Sequence, residues 1–193
     1  MSYLSVLLAD DEALIRFDIK EYLTSEGHMV CAETGNGLEA LELAKITSPN
    51  IALLDIRMPG LDGIEVSCKL KEMGIPTVLM TGYNQKNFVN RAEKVGVYGY
   101  LIKPIREQDI IPTMKIACSR WNEMQKLSKE IETYKRKLEN QKVLDLAKSV
   151  FARDHQITEF EAHKRILNIS MNQRKPVINI CEEIIKKNLA NQK

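Results

Sequence analysis

Short apolar runs alternate with helical patterns along the first part of this 193-residue chain, and this alternation limits the possible folds more than any other feature. The runs are rich in Val, Leu and Ile and are bounded by turn residues, as β-strands are. They cover residues 5–9, 29–33, 51–55, 77–81 and 99–102. Between them, residues 12–26, 37–46, 64–71 and 88–95 carry apolar side chains at helical spacing. Strands that alternate with helices predict a five-stranded parallel sheet with helices on both of its faces.

Polar side chains stand where these predicted strands end. Asp10 and Asp11 follow the first strand, and Asp55 closes the third. Thr81 ends the fourth strand and Lys103 follows the fifth. Because the carboxyl ends of parallel strands share the sheet edge where α/β folds build their sites, we expect these five side chains to converge.

The converging groups suit phosphoryl transfer. Three carboxylates at one point repel one another unless a cation is present, and oxygen ligands with room for water suit Mg²⁺. We therefore predict Asp10, Asp11 and Asp55 as metal ligands. A nucleophilic carboxylate accepts a phosphoryl group as an acyl phosphate, and a nearby ammonium and hydroxyl stabilise the phosphoryl oxygens. This predicts Asp55 as the phosphoacceptor, with Lys103 and Thr81 as its helpers.

Residues 1–120 resemble the receiver domain of bacterial two-component response regulators. The matching motifs are Asp10-Asp11, Asp55 with Met58-Pro59-Gly60 and Asp62-Gly63, Thr81-Gly82, and Tyr100-Leu101-Ile102-Lys103-Pro104. The resemblance implies a flavodoxin-like (βα)₅ fold with strand order 2-1-3-4-5, and phosphorylation of Asp55 by a sensor histidine kinase. It also implies that Tyr100 is a switch residue, which turns inward when Thr81 moves toward the phosphoryl group.

A helix with a narrow apolar stripe follows the predicted sheet. Residues 113–153 contain neither Gly nor Pro, and the stripe steps by 3, 4, 3 and 4 residues, as heptad positions do. Its members are Met124, Leu127, Ile131, Tyr134 and Leu138. A single helix with so narrow a stripe needs a partner, so we predict a homodimeric coiled coil over residues 121–141. The alternative is a helix that packs against its own domain.

Residues 142–193 are predicted to form a small all-α bundle of three helices. Thr158 and Glu161 fit a capping box at the start of the second helix, and Pro176 suits the first turn of the third. Phe160 and Met171, on the second helix, are expected in the bundle core, since apolar side chains at helical spacing are usually buried.

This last segment resembles the ANTAR domain, an RNA-binding antiterminator module that follows receivers in some regulators. The matching pieces are Ala147-Lys148, Glu161-Ala162, Ser170-Met171 and the final stripe Val177, Ile180 and Glu183-Ile184. The whole layout is most similar to the ethanolamine-utilisation type of antiterminator regulator. The chain departs from the family pattern at three positions, where Ser149 replaces the usual Gly, His163 an aromatic residue and Leu167 an Arg.

Charge divides along the chain. Residues 1–123 contain 13 Lys and Arg against 17 Asp and Glu, whereas residues 124–193 contain 15 against 9. The basic tail favours an anionic partner, although a solvated helical segment would show the same balance. Together with the ANTAR resemblance, the pattern predicts RNA contacts at Lys148, Lys164, Arg165, Arg174 and Lys175.

These observations favour a response regulator that is phosphorylated on Asp55, dimerises and binds hairpins in mRNA leaders to prevent transcription termination. The receiver is expected to accept a phosphoryl group and lose it slowly rather than to act as an enzyme. One alternative is a DNA-binding transcription factor, although the tail is too short for a winged helix and lacks a helix-turn-helix pattern. A phosphorylation-dependent protein-interaction module is the other.

Composition bears on the compartment. No apolar stretch approaches the roughly 18 to 20 residues that span a bilayer, and the acidic N-terminus does not resemble a signal peptide. The four cysteines are far apart in sequence, with no C-x-x-C spacing. We therefore expect a cytoplasmic protein with reduced thiols, no zinc and no membrane partner.

Overall fold

The chain folds into two compact units, Met1–Gln125 and Lys126–Lys193. The computed structural model describes residues 3–82 and 97–191. The helix predicted at residues 88–95 lies outside the described residues. None of the described helices is both long enough and apolar enough to cross a membrane.

A five-stranded parallel sheet forms the centre of the first unit. Its strands are β1 (Ser5–Ala9), β2 (Met29–Thr34), β3 (Ile51–Asp55), β4 (Thr77–Gly82) and β5 (Gly99–Lys103). They pair in the order β2-β1-β3-β4-β5, so the predicted fold class and strand order are confirmed. Each strand begins at the predicted residue and ends within one residue of the predicted end, because turn residues bound each apolar run.

Apolar side chains cover both faces of this sheet. On β1, Val6 and Leu8 join one buried cluster while Leu7 and Ala9 join another, as the period of two along a strand requires. The described helices of this unit are α1 (Ala13–Ser25), α2 (Gly37–Thr47), α3 (Gly63–Glu72) and the first turns of α4 (Glu107–His155). The strands are therefore buried on both sides, which leaves the sheet's carboxyl edge as the place for a polar site.

The helix α4 is 49 residues long and contains Pro112 near its start. Its first turns carry Ile110, Met114, Ala117 and Trp121, which are buried against the sheet. The Trp121 ring meets Tyr98 edge-on, with 5.1 Å between the ring centroids. The start of α4 is thus part of the core of the first unit.

The second unit is a three-helix bundle made by the end of α4, α5 (Glu159–Gln173) and α6 (Val177–Asn191). Its buried cluster takes Ala147 from α4, Ile166 from α5, and Ile180 with Cys181 from α6. The predicted capping box is present at the start of α5, where Thr158 Oγ1 accepts a hydrogen bond from the Glu161 backbone N–H at 3.2 Å. The predicted all-α tail is therefore confirmed.

Two residues of α5 contradict the sequence prediction. Phe160 and Met171 were expected in the core, but they are 68% and 67% exposed. The buried face of α5 is instead formed by Ala162, Ile166 and Ser170. At about 3.6 residues per turn, Phe160 and Met171 lie on the opposite side of the helix.

Candidate functional site

Strand register brings two of the predicted carboxylates together. Ala9 pairs with Leu54 across β1 and β3. Asp10, directly after β1, and Asp55, the last residue of β3, therefore lie side by side at the carboxyl edge. Oxygen atoms of Asp10, Asp11 and Asp55 all lie within 4.8 Å of one another. Asp10 and Asp55 are buried, whereas Asp11 is exposed. The predicted acidic cluster is therefore present.

Lys103 completes the cluster from β5. Its Nζ lies 2.8 Å from Asp10 Oδ2 and 3.1 Å from Asp55 Oδ1. Burial works against the charge of Lys103, but hydrogen bonds and attraction from the two carboxylates outweigh it and raise the pKa of the ammonium. Burial raises the pKa of the Asp55 carboxyl, and Lys103 offsets only part of that effect. One ammonium thus holds two carboxylates that would otherwise repel each other.

The donor set of this cluster fits Mg²⁺. All three side chains offer carboxylate oxygens, which are the ligands that a hard divalent cation prefers. One oxygen of each buried carboxylate is already oriented by the backbone: Asp10 Oδ1 accepts from the Glu12 N–H at 3.0 Å, and Asp55 Oδ2 accepts from the Arg57 N–H at 3.1 Å. The single charge of Lys103 cannot balance three carboxylates, so a divalent cation would neutralise the remainder.

The loop after Asp55 curls closely over the sheet edge. The Gly63 N–H donates to the Ile56 carbonyl at 2.9 Å, and a Cβ at Gly63 would collide with the carbonyl oxygen of Asp55. Asp62 then caps α3 by accepting from the Glu65 N–H at 2.8 Å. The turn chemistry of this segment therefore keeps the loop against the backbone of the predicted phosphoacceptor.

Thr81 and Tyr100 lie on the two strands beyond β3. Asp55 pairs with Met80 in register, so Thr81 is one residue further toward the carboxyl edge. Thr81 is buried and its Oγ1 donates to the Gly82 carbonyl at 3.3 Å. Tyr100 is half-buried and packs against the core cluster that contains Leu54. Their positions accord with the predicted helper and switch, and those two roles remain predictions.

Two residues near the cluster were not identified from the sequence. Glu12 Oε1 lies 3.5 Å from the Lys103 Nζ. Arg16 donates from Nη1 to the backbone carbonyl of Asp10 at 2.6 Å. Both sit at the start of α1, and their four-residue spacing, which places them on one helix face, is the only sequence signal that indicates them.

The five predicted RNA contacts differ in how they are engaged. Lys148 Nζ lies 2.6 Å from Asp145, and Lys175 Nζ lies 2.7 Å from Glu183. Lys164 lies over the ring of Phe160. The remaining two, Arg165 and Arg174, are exposed and form no ion pair with any other described residue. The charge available to a partner is therefore greatest at the two arginines.

The predicted coiled-coil stripe on α4 is exposed. The side chains of Met124, Leu127, Ile131, Tyr134 and Leu138 are between 46% and 68% exposed. Such a row of apolar side chains on one helix is unusual unless a partner covers it. The homodimer stays a prediction.

Comparison with known families decides the class of protein. Residues 6–115 match the response regulator receiver domain, and residues 132–185 match the ANTAR domain. The chain belongs to the response regulators. It is a two-component receiver with a C-terminal ANTAR domain.

Individual curated proteins are also similar to this chain. The transcriptional regulatory protein PdtaR of Mycobacterium tuberculosis H37Rv is 36% identical over 182 residues, which cover 94% of this chain and 89% of that protein. Sporulation initiation phosphotransferase F of Bacillus subtilis is 30% identical over 112 residues, covering 57% of this chain and 90% of that protein. The similarity to the first protein thus extends through both domains, whereas the similarity to the second covers little more than half of this chain.

Solved structures match the receiver fold. The signal receiver domain of a modulated diguanylate cyclase from Desulfovibrio desulfuricans G20 aligns with a TM-score of 0.59 at 28% identity, covering 63% of this chain and 98% of that one. A LuxR-family DNA-binding response regulator from Staphylococcus aureus aligns with a TM-score of 0.57 at 25% identity, covering 60% and 98%. The flavodoxin-like architecture is therefore that of receiver domains.

Proposed function

We propose that this response regulator is an antiterminator, whose binding to RNA hairpins is controlled by phosphorylation of Asp55 by a sensor histidine kinase. The observation that carries the proposal is an ANTAR match at residues 132–185 behind a receiver with a complete acidic site. PdtaR, which is similar along most of its length, carries the name of a transcriptional regulatory protein. A regulator whose output module is of the RNA-binding kind would act on the transcript rather than on the promoter.

Phosphoryl transfer would proceed at the sheet edge. A carboxylate oxygen of Asp55 attacks the phosphorus of a phosphohistidine, the new O–P bond forms as the N–P bond breaks, and the imidazole leaves with the electron pair and takes up a proton. Lys103, now 3.1 Å from Asp55 Oδ1, can turn its ammonium to the phosphoryl oxygens. Mg²⁺ held by Asp10, Asp11 and Asp55 would supply further positive charge to the same oxygens.

The signal would leave the site through β4 and β5. Thr81 moves toward the phosphoryl group and Tyr100 turns inward, which alters the surface next to α4. Since α4 begins at Glu107, shortly after β5 ends at Lys103, and carries the exposed stripe, phosphorylation promotes pairing of two α4 helices. A dimer presents two ANTAR bundles to paired hairpins and stabilises an RNA fold that excludes the terminator.

The test of this function compares the full-length chain with and without beryllofluoride, which mimics the acyl phosphate. We expect beryllofluoride to increase both the sedimenting mass and the affinity for a tandem-hairpin RNA. Asp55→Ala should respond in neither measurement. Equal behaviour of wild type and Asp55→Ala would refute the switch, and tighter binding of duplex DNA than of RNA at one salt concentration would favour a DNA-binding factor.

A further inference from the structure

The helix α5 carries an exposed stripe on the side away from the bundle core. Phe160, Lys164, Leu167 and Met171 recur at steps of 4, 3 and 4 residues, which places them in one row along the helix. Phe160 is 68% exposed and Met171 67%, while Leu167 is half-buried. The buried face of α5 lies on the opposite side, where Ala162, Ile166 and Ser170 are found, and Ile166 joins the bundle core. The exposed ring of Phe160 therefore contributes little to the packing of its own bundle.

A cation accompanies this ring. Lys164 Nζ lies 4.6 Å from the centroid of the Phe160 ring, within the range of a cation–π contact. Phe160 as a residue is 68% exposed, so its side chain still offers surface to a ligand. An aromatic face beside an ammonium is the combination that binds a nucleotide, since the base stacks on the ring and the phosphate lies near the charge.

We propose that Phe160 is the platform on which an unpaired base of the RNA hairpin stacks, with Lys164 neutralising the adjacent phosphate. The inference rests on the proposed RNA-binding function and names how the RNA is recognised. Charge complementarity favours RNA as the occupant, since residues 124–193 hold 15 Lys and Arg against 9 Asp and Glu and Arg165 is exposed next to Lys164. Proteins read RNA sequence mostly at unpaired loop bases, which aromatic side chains can stack upon.

The test uses full-length chain with beryllofluoride and one defined probe. The probe is a tandem-hairpin RNA with loops selected from a randomised pool by binding to the wild-type chain. Phe160→Ala is expected to weaken binding by roughly tenfold or more, as loss of one base–aromatic stack does. Phe160→Leu, which keeps apolar bulk but has no π-face, should bind as weakly as Phe160→Ala, whereas Phe160→Trp should bind at least as tightly as wild type.

A series of single abasic nucleotides through both loops then locates the stacked base. One loop position should weaken wild type when it is abasic, and the same change should have no further effect on Phe160→Ala. Such a cycle detects a direct partner, because independent losses would multiply instead. Independent losses at every loop position would overturn the proposal.

Leu146→Ala is the matched control, since Leu146 is another exposed apolar side chain of the second unit, 53% exposed on α4. It should bind the probe as wild type does, and all variants should keep the wild-type helical circular dichroism.

Wild-type affinity of Phe160→Ala or Phe160→Leu would overturn the stacking platform while leaving the RNA-binding function intact. A sedimenting mass of Phe160→Ala that differs from that of wild type in the absence of RNA would also overturn the stacking platform, because the stripe would then be a protein contact. A pool that yields no binder to the wild-type chain would refute the proposed function itself.

Discussion

Lys103 is the residue on which the acidic site depends. Asp10 is fully buried and Asp55 is only 6% exposed, so water screens their repulsion poorly. The ammonium reaches both, at 2.8 Å and 3.1 Å. In the absence of metal, Lys103 therefore supports the fold as well as any phosphoryl chemistry.

Lys103→Met should destabilise the receiver in the presence of EDTA. Loss of one partner from a buried ion pair leaves uncompensated charge and costs about 3 kcal/mol. Added Mg²⁺ should narrow the difference from wild type, since the cation replaces the lost positive charge. Urea unfolding followed by fluorescence of Trp121, the single tryptophan, measures both effects.

Lys20→Met is the control for this prediction. Lys20 and Glu33 form an ion pair of 3.2 Å in the same unit, but both side chains are more than 40% exposed. Its loss should cost less than about 1 kcal/mol and show no dependence on Mg²⁺. Equal destabilisation by the two changes would show that Lys103 acts only as a surface charge.

At the scale of elements, the helix α4 has an apolar stripe that is buried in its first part and exposed further on. The apolar stripe of α4 is buried against the sheet as far as Trp121, and it then continues as the exposed row that begins at Met124. Helical periodicity is the same in both parts, and only the presence of the sheet distinguishes them. The exposed part is therefore available for a second chain.

Ile131→Asp should weaken the beryllofluoride-bound dimer. A buried charge at a central a position opposes helix pairing, and we expect the dimer Kd to rise by on the order of 100-fold, or about 3 kcal/mol. Sedimentation equilibrium measures the change. Thr133→Asp adds the same charge to the same helix off the stripe, and it should leave the Kd nearly unchanged. Dimers that survive Ile131→Asp would contradict the coiled coil.

The capping box of α5 gives a second prediction at this scale. Thr158→Ala removes the side-chain oxygen that accepts from the Glu161 N–H, and it should destabilise the second unit by about 1 kcal/mol. Thr133→Ala, within α4, should be neutral or slightly stabilising, because Ala favours helix interiors. Thermal unfolding followed by far-ultraviolet circular dichroism compares the two, and an equal effect would exclude a capping role.

For the whole molecule, charge separates the receiver from the output domain. Residues 1–123 have a formal balance of −4 and residues 124–193 one of +6. The basic side chains of this part differ in whether they are already paired. Lys148 and Lys175 form ion pairs with carboxylates, whereas Arg165 and Arg174 form no ion pair among the described residues. RNA affinity should therefore depend on salt, with unequal contributions from these residues.

The slope of log affinity against log salt concentration is negative. Arg174→Gln and Arg165→Gln should each reduce its magnitude by about 0.7 to 1, as loss of one phosphate contact does. Lys175→Gln should lower it less, because Glu183 at 2.7 Å already neutralises part of that charge. Filter binding of the tandem-hairpin probe at several salt concentrations measures the slopes. Equal slopes for all three variants would show that the ion pair of Lys175 opens on binding.

The five strands and the composition of the acidic site were predictable from sequence, because both follow from local order. Each apolar run is bounded by its own turn residues, and the rule that parallel strands end at one edge brings Asp10, Asp55 and Lys103 together. The capping box of α5 was equally local, since Thr158 and Glu161 are three residues apart. The ion-pair partners of Lys148 and Lys175 were not predicted. A lysine on a helix surface has several carboxylates within reach, and the sequence does not show which one it contacts.

Sequence by itself determined the order of strands and helices, the chemistry placed at each strand end and the division into an acidic receiver and a basic tail. Tertiary structure alone decided which side of α5 is buried, where the stripe of α4 becomes exposed, and that Lys103 contacts two carboxylates at once. The physical reason is that periodicity and caps depend on neighbours along the chain, whereas burial and charge pairing depend on elements that only folding brings together. Phe160 shows the difference, since its helical spacing fits a core position and its 68% exposure is that of a surface residue.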